Sequence, residues 1–335
     1  MNYSDHVTTT WRHVALDNAA DDYSVLVHYA RLAASSHNTQ PWIFSLEPGR
    51  IRILPDLSRR CPAVDPDDHH LYASLGCATE NLVLAAQAAG LGGRASFDAA
   101  ASGMQIDLVP SPASRSTLFD AIPLRQCSRT EYDGRPLADD ALKQLKAAGA
   151  GEGVSVLLMT DTGQKDLITQ YVTQGNDAQF SDPAWARELK SWIRFSTREA
   201  VRSGDGLYGP VMGSPDVPRW LGLLAMKAGF SAKNQNRKDR EYIRSSSAIA
   251  VIYSEADDIP HWIEAGRCYQ RLALTATALG LRTAFINQPV EVTELRPEFA
   301  RALGIGEYRP DLVVRIGHGP EMPRSPRRPV EDVIE

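Results

Sequence analysis

Apolar side chains recur at helical spacing along residues 23–34 and then switch to the alternation of short strands at 42–46 and 50–54, joined at Glu47-Pro48-Gly49-Arg50. Leu71, Leu75, Leu82 and Val83, with alanines between them, form a wide stripe that predicts a long helix over 67–90. Strands follow at 93–97 and 104–109, then the Pro/Ser-rich linker VPSPASRS. Beyond it the pattern predicts short helices at 115–123 and 137–148 and a strand at 154–159. Asp161 and Asp182-Pro183 open two further helices. Residues 203–220 are dense in Gly and Pro and read as irregular. A strand at 248–253, a helix at 260–280, a strand at 281–286, a helix at 291–302 and a strand at 311–316 complete the pattern, ahead of an extended tail.

A repeat underlies this order. Shifted by 190 residues, GCATENLVLAAQAAGL (76–91) falls on GRCYQRLALTATALGL (266–281). Gly76 matches Gly266, Leu82 matches Leu272, and Gly90-Leu91 matches Gly280-Leu281. Both helices lead into a strand carrying a phenylalanine, Phe97 or Phe285. The reading is two related halves, 1–112 and 113–335, whose long helices pack closely through small residues. An insertion at about 175–245 belongs to the second half.

Composition changes this picture little. A chain of 335 residues, 43% hydrophobic and 23% charged, is long enough for two ordinary cores. A net charge of −5 gives no global attraction to nucleic acid or to an acidic membrane surface. The N-terminus has no charged start followed by an apolar run, and the longest apolar stretch, Leu82–Leu91, is too short to span a bilayer. Cys61, Cys77, Cys127 and Cys268 are scattered, as in a reduced, cytoplasmic protein. No HExxH or Cys/His cluster calls for a metal, and DPDDHH (65–70) reads as acids at a helix start.

Two polar clusters stand apart. LAASSHNTQPWIF (32–44) crowds Ser35, Ser36, His37, Asn38, Thr39 and Gln40 between a helix and a strand. RQCSR places Arg125, Cys127 and Arg129 at alternate positions, and Arg327 and Arg328 lie in the tail. Arginine forks suit phosphate, while neutral hydroxyl and amide groups suit the edge of a heterocycle. Singly, such runs are commonly solvated arginines and turns. Taken with the repeat, they describe a ligand with an anionic end and a polar-edged ring. The glycine-loop nucleotide motifs are absent from the sequence.

ASSHNTQPWIF resembles the flavin-contacting segment of the nitroreductase superfamily, RQCSR its N-terminal R-x-S-x-R motif, and PRRPVEDVI its C-terminal ending. The order of RRCPAVDPDDHHLYASLGCATENLVLAA, SWIRF, PRWLG and RPVEDVI resembles the Acg-like branch, in which two units are fused in one chain. The resemblance runs over most of residues 25–334. It implies an α+β, nitroreductase-like fold: two fused repeats forming a pseudo-dimer, with mixed or antiparallel sheets, long central helices and a lid segment. It also implies one FMN per chain, held between the halves. Arg125 and Arg129, with Arg327 or Arg328, would hold the phosphate and ribityl end. Ser35, Ser36, Asn38 and Gln40 would line the flavin, and the backbone of Gly280, Leu281 and Arg282 would approach its reactive edge. Cys127 stands where the family has Ser or Thr, and Arg282 where it has glycine.

The activity implied is hydride transfer through flavin N5 from NAD(P)H to an electron-poor small molecule, with no acid–base residue assigned. His37 reads as a polar rim residue. A storage protein that seals FMN under the 175–245 cover, and a biosynthetic flavin dehydrogenase or oxidase, are the alternatives. A monomer is expected, because the fusion already buries the usual dimer surface. No nucleic-acid or membrane partner is expected.

Overall fold

The computed structural model describes residues 2–335. Its helices are α1 (Tyr3–Thr10), α2 (Ser24–Ala30), α3 (His69–Ala88), α4 (Thr117–Ala121), α5 (Asp139–Ala148), α6 (Thr162–Ser181), α7 (Pro183–Trp192), α8 (Thr197–Ser203), α9 (Arg219–Gly229), α10 (Ala232–Arg244), α11 (Ile259–Ala278), α12 (Gln288–Glu291) and α13 (Arg296–Leu303). The first sheet holds β1 (Trp42–Glu47), β2 (Arg50–Pro55), β3 (Leu91–Asp98) and β4 (Gly103–Pro110) in the order β1-β2-β4-β3. A two-residue parallel pair, β6 (Ile193–Arg194) with β7 (Leu207–Tyr208), sits in the insertion. The second sheet holds β5 (Val154–Met159), β8 (Ala248–Ser254), β9 (Arg282–Phe285) and β10 (Arg309–Gly317) in the order β5-β8-β10-β9.

Both four-stranded sheets are antiparallel throughout, and both place their strands first, second, fourth, third. In both, the long helix lies between the second and third strands. The duplication read from the sequence is therefore a duplication of topology. The helix crossing carries it to atomic detail. A Cβ built on Gly76 would lie 1.9 Å from the Ile263 carbonyl oxygen, and one on Gly266 would lie 1.9 Å from that of Ala73. Ala73 and Ile263 are themselves 190 residues apart, so the contact has the reciprocity of a two-fold interface. Around it, Gln270 Nε2 donates to Asn81 Oδ1 at 2.7 Å, and Glu80 pairs with Arg267 (3.1 Å) and Arg271 (3.0 Å).

The two sheets differ in burial. β8 and β10 are the paired central strands of the second sheet, and β10 is buried along its whole length. Ala248, Ala250 and Ile252 face the shared core with α11, whereas Ile249 and Val251 face a second core with Ile168, Val172 and Phe299. A strand covered on both faces reads as a continuous apolar run, as AIAVIYS does. The first sheet receives the end of the tail: Phe44 N–H donates to Val333 O (2.8 Å) and Glu335 N–H to Phe44 O (3.1 Å).

Three departures from the periodicity matter. The predicted helix over 291–302 begins only at Arg296, as α13; the short α12 ends at Glu291, and Thr293–Leu295 forms a 3-10 turn between them. The insertion is largely helical, with α9 and α10 where the sequence pattern predicts none. α1 is also absent from the sequence reading, and it packs on α8 of the insertion, with the Tyr3 ring tilted at 45° against that of Tyr208, 5.2 Å between centroids.

Candidate functional site

The polar run after α2 has an unusual backbone. His37, Asn38 and Gln40 all take positive φ (48°, 55° and 54°), a conformation that costs a non-glycine residue energy. Side-chain bonds hold it. Gln40 N–H donates to Ser35 Oγ (3.0 Å), Asn38 Nδ2 donates to Gly206 O and Pro326 O (3.1 Å each), and Gln40 Nε2 donates to Gly204 O (2.8 Å). Gln40 Oε1 accepts from Arg328 N–H (2.9 Å). Asn38 and Gln40 thus face the insertion and the tail, and they fasten both to the first half.

Ser35, Ser36 and His37 line a cavity of about 770 Å³ between the halves, within the usual range for a small-molecule site. Arg129 lines it too, as do Ala73 and Cys77 of α3 and Tyr269 of α11. Its polar wall includes Asn176, Gln179, Asp239 and Glu291, tied by Asn176–Asp239 (2.8 Å) and Gln179–Glu291 (2.6 Å). Burial pushes the Asp239 and Glu291 carboxyls up from their ordinary range. The insertion supplies an apolar roof that includes Trp185, Ile193, Phe195 and Met226. Exposed Ser214, Pro215, Leu221 and Ala225 also line the cavity and edge its mouth.

Beside the cavity lies a cluster of arginines. Arg125 is buried; its Nη2 donates to Leu32 O (3.4 Å), while its Nε and Nη1 have no partner. Arg327 donates to the same carbonyl (3.3 Å), to Ala33 O (3.0 Å) and to Asn38 Oδ1 (2.7 Å). Arg31 and Arg282 each have a buried Nε without a partner. Burial, then the charges of Arg125, Arg31 and Arg324, hold Arg327 well below the usual guanidinium range, and burial lowers Arg31 to about 10. Among the described residues no carboxylate pairs with Arg31, Arg125, Arg282 or Arg327. Buried donors without acceptors cost the fold energy, and an anion placed among them would return it.

The sequence-predicted residues therefore separate. Ser35, Ser36 and Arg129 line the cavity; Arg125, Arg282 and Arg327 belong to the arginine cluster. Cys127 pairs with Thr283 beside β9. Arg328 turns away toward Asp56 (3.9 Å) and Gln40 O (3.4 Å). Gly280 (φ +72°) is the exposed left-handed residue that ends α11, as Gly90 (φ +78°) ends α3. Neither Gly280 nor Leu281 reaches the cavity; Ala284–Gln288 supplies that wall instead. Arg31, Tyr269 and 284–288 escape the sequence reading. The repeat signals one of them, setting Tyr269 opposite Thr79, and Tyr269 Oη is buried without a partner.

Asp65, His69 and His70 bring donor atoms within 4.8 Å of one another. The Asp65 oxygens are already engaged: Oδ1 accepts from His70 N–H (3.0 Å) and meets His70 Nδ1 (3.3 Å), and Oδ2 accepts from Leu71 N–H (3.0 Å). The cluster caps the first turn of α3 and orients His70, whose other nitrogen is free at the cavity. Burial would lower His70, but the hydrogen bond and charge of Asp65, with Glu291, raise it overall.

Buried His28 and His69 and half-buried His37 have the opposite sign. Burial holds His28 and His37 down to about 4 and His69 well below its ordinary value. His28 is locked neutral: its Nε2–H donates to Arg12 O (3.0 Å), and its Nδ1 accepts from Arg31 (3.4 Å). Unfolded histidines take up a proton below about pH 6.5, and these three do not while folded. Stability therefore falls as pH drops from about 6.5 toward 4, with a slope of up to ~1.4 kcal/mol per pH unit for each of the buried His28 and His69. The contribution of His70 is present below its unfolded pKa and lost as pH rises through its folded one, so it does not oppose this loss at acid pH. Urea melts at successive pH values should show the midpoint falling; a midpoint constant from pH 7 to 5 would contradict the assignment.

No family model matches the chain. Two proteins of Mycobacterium tuberculosis match it almost end to end. One, provisionally named NAD(P)H nitroreductase Rv3131, is 28% identical over 94% of this chain and 92% of its own length. The other, the Acg protein, also provisionally named an NAD(P)H nitroreductase, is 23% identical over 92% and 93%. Over nearly its whole length the chain is therefore similar to proteins named as nitroreductases, the Acg protein among them. Among solved structures, a Bacteroides fragilis nitroreductase with bound FMN is similar at 15% identity and a TM-score of 0.38, covering 61% of this chain and 89% of that one. An NADPH:FMN oxidoreductase from Vibrio harveyi, complexed with NAD+, is similar at 13% identity and a TM-score of 0.41, covering 66% and 76%.

Proposed function

We propose that the chain is an FMN-dependent oxidoreductase that carries hydride from NAD(P)H to an electron-poor small molecule. The observation that carries this reading is the pairing of a 770 Å³ cavity with buried guanidinium atoms that lack any acceptor. The provisional names of the full-length relatives, NAD(P)H nitroreductases, support the same chemistry.

The residues fit the cofactor. Arg125, Arg282, Arg31 and Arg327 would hold its phosphate, replacing missing acceptors with charge-assisted bonds. Ser35, Ser36 and Arg129 would face the ring system, and positive charge from Arg129 suits a ring that gains electrons. When bound, FMN supplies the hydride chemistry. The chain supplies position, a water-poor apolar roof and a mouth. One such site per chain follows from the asymmetry of the halves: the cluster draws Arg125 and Arg327 from the second half onto carbonyls of the first.

A second reading, a sealed FMN store, has one observation in its favour. Buried Asp205 of the insertion is clamped between Arg59 and Arg194 (2.7 Å), while Glu188 accepts from the Ala63 (2.9 Å) and Val64 (3.1 Å) N–H groups. The exposed residues at the cavity mouth favour exchange over sealing. Anaerobic stopped-flow mixing of the FMN-loaded protein with excess NADPH or NADH separates the two. We expect the flavin absorption to bleach within seconds. A flavin reduced by dithionite and untouched by either nicotinamide would instead identify a store.

A further inference from the structure

The net charge of −5 conceals a region of opposite sign. Between Arg219 and Arg244, across α9 and α10, the chain carries Arg219, Lys227, Lys233, Arg237, Lys238, Arg240 and Arg244 against Asp239 and Glu241. Asp239 is buried, and all the basic residues except Lys238 are exposed.

α9 is also the most exposed apolar element. Trp220 is 69% exposed and Leu224 58%, with Leu223 beside them. At 100° per residue, Trp220, Leu223, Leu224 and Lys227 share one side of the helix, and Gly222, Ala225, Met226 and Gly229 share the other. The second side is the one the fold uses. Gly222 meets the Phe195 ring so closely that a Cβ would lie 2.0 Å from it, and all four residues line the cavity. The first side has no use inside this chain.

We propose that this outer face docks the protein on an anionic lipid bilayer, with Trp220, Leu223 and Leu224 entering the headgroup–acyl boundary. Lys227 flanks the apolar stripe and would reach lipid phosphates, as long basic side chains do at such interfaces, while Arg219 at the other end is turned back onto Ile193 O (3.3 Å) and the Phe195 ring. The basic face of α10 adds attraction to a negative surface, worth about 1 kcal/mol per charge near the membrane. A second copy of the chain fits worse. A two-fold contact through this region would bring together two copies of the same basic segment, with Glu241 the one exposed acid between Arg219 and Arg244 to answer them.

The test uses the full chain and vesicles of phosphatidylcholine, alone or mixed with phosphatidylglycerol. Co-sedimentation is expected with the mixed vesicles, at least ~10-fold weaker with the neutral ones, and falling as salt is raised. Trp220→Ser with Leu224→Ser should weaken binding by ~10-fold or more, since each removes a large apolar group from the boundary. Both side chains are exposed, so thermal melting should not change. Protein that stays in solution with both vesicle types overturns the proposal. So does light scattering that shows a dimer which the double variant returns to monomer. The docking does not depend on the flavin reading: apo protein serves equally, and a failure here leaves the NADPH experiment untouched.

Discussion

Gly76→Ala and Gly266→Ala should each destabilise the protein by ~3 kcal/mol or more, against the general expectation for a helix. In an exposed helix, alanine in place of glycine gains up to ~1 kcal/mol of propensity. Here the added methyl would sit 1.9 Å from a backbone oxygen of the facing helix. A backbone atom cannot swing aside as a side chain does, so α3 and α11 must move apart. Overpacking of that kind costs ~1–3 kcal/mol where side chains absorb it, and more where helices must separate. Such a loss is a large part of a domain's total stability. The double variant supplies a sharper test. Once one methyl has parted the helices, the second has room, so the pair should lose clearly less than the sum of the singles. Gly229→Ala is the control: nothing lies within 4 Å of its would-be Cβ, and it should be neutral or slightly stabilising in the same urea melts. Additive losses at 76 and 266, or none, would show that the close crossing does not join the halves. The consequence reaches the cavity, because Ala73 and Cys77 on α3 and Tyr269 on α11 form its inner wall.

That crossing was legible in the sequence because duplication leaves a regular trace: the same small residues recur at a fixed offset, and a two-fold contact demands them on both sides. The site was legible in part. The run from Ser35 to Gln40 is conspicuous because six consecutive polar residues before an apolar strand need partners. Composition cannot say whether those partners are a ligand or the chain itself. Asn38 and Gln40 are spent on the backbone of Gly204, Gly206, Pro326 and Arg328, residues about 165 and 288 positions distant, and no local pattern reports such a bond. Gly280 shows the reverse limit. A glycine in a motif-like turn is also what any helix needs at its left-handed end, and Gly90 performs that task in the other half. Arg31 went unread because a single basic residue in an apolar helix resembles an edge position; its burial comes from the tail that crosses it, where its Nη1 donates to Arg328 O (2.8 Å). α9 was hidden for a related reason. Its glycines and its neighbouring prolines suggest a loop, and one of those glycines, Gly222, is there for the Phe195 ring.

Arg125→Met should move two measurements in opposite directions. In the apo protein it removes a buried cation with two unpartnered nitrogens from a cluster in which its charge also holds Arg327 down. Methionine is close in volume and asks for no acceptor, so the apo melting temperature should rise. In the loaded protein the same change removes the donors proposed for the phosphate. Two charge-assisted hydrogen bonds at ~1.5–3 kcal/mol each correspond to a ~10²–10⁴-fold loss of FMN affinity. The increase in melting temperature that FMN confers on the wild type should largely vanish, since stabilisation by a ligand follows its affinity. Riboflavin, which lacks the phosphate, should bind the wild type and the variant alike. This pattern separates a socket for phosphate from a general structural role, because a merely structural arginine would lower the apo melting temperature and weaken both ligands together. Equal FMN affinity in wild type and variant would remove Arg125 from the cofactor site and leave the cluster without a ligand.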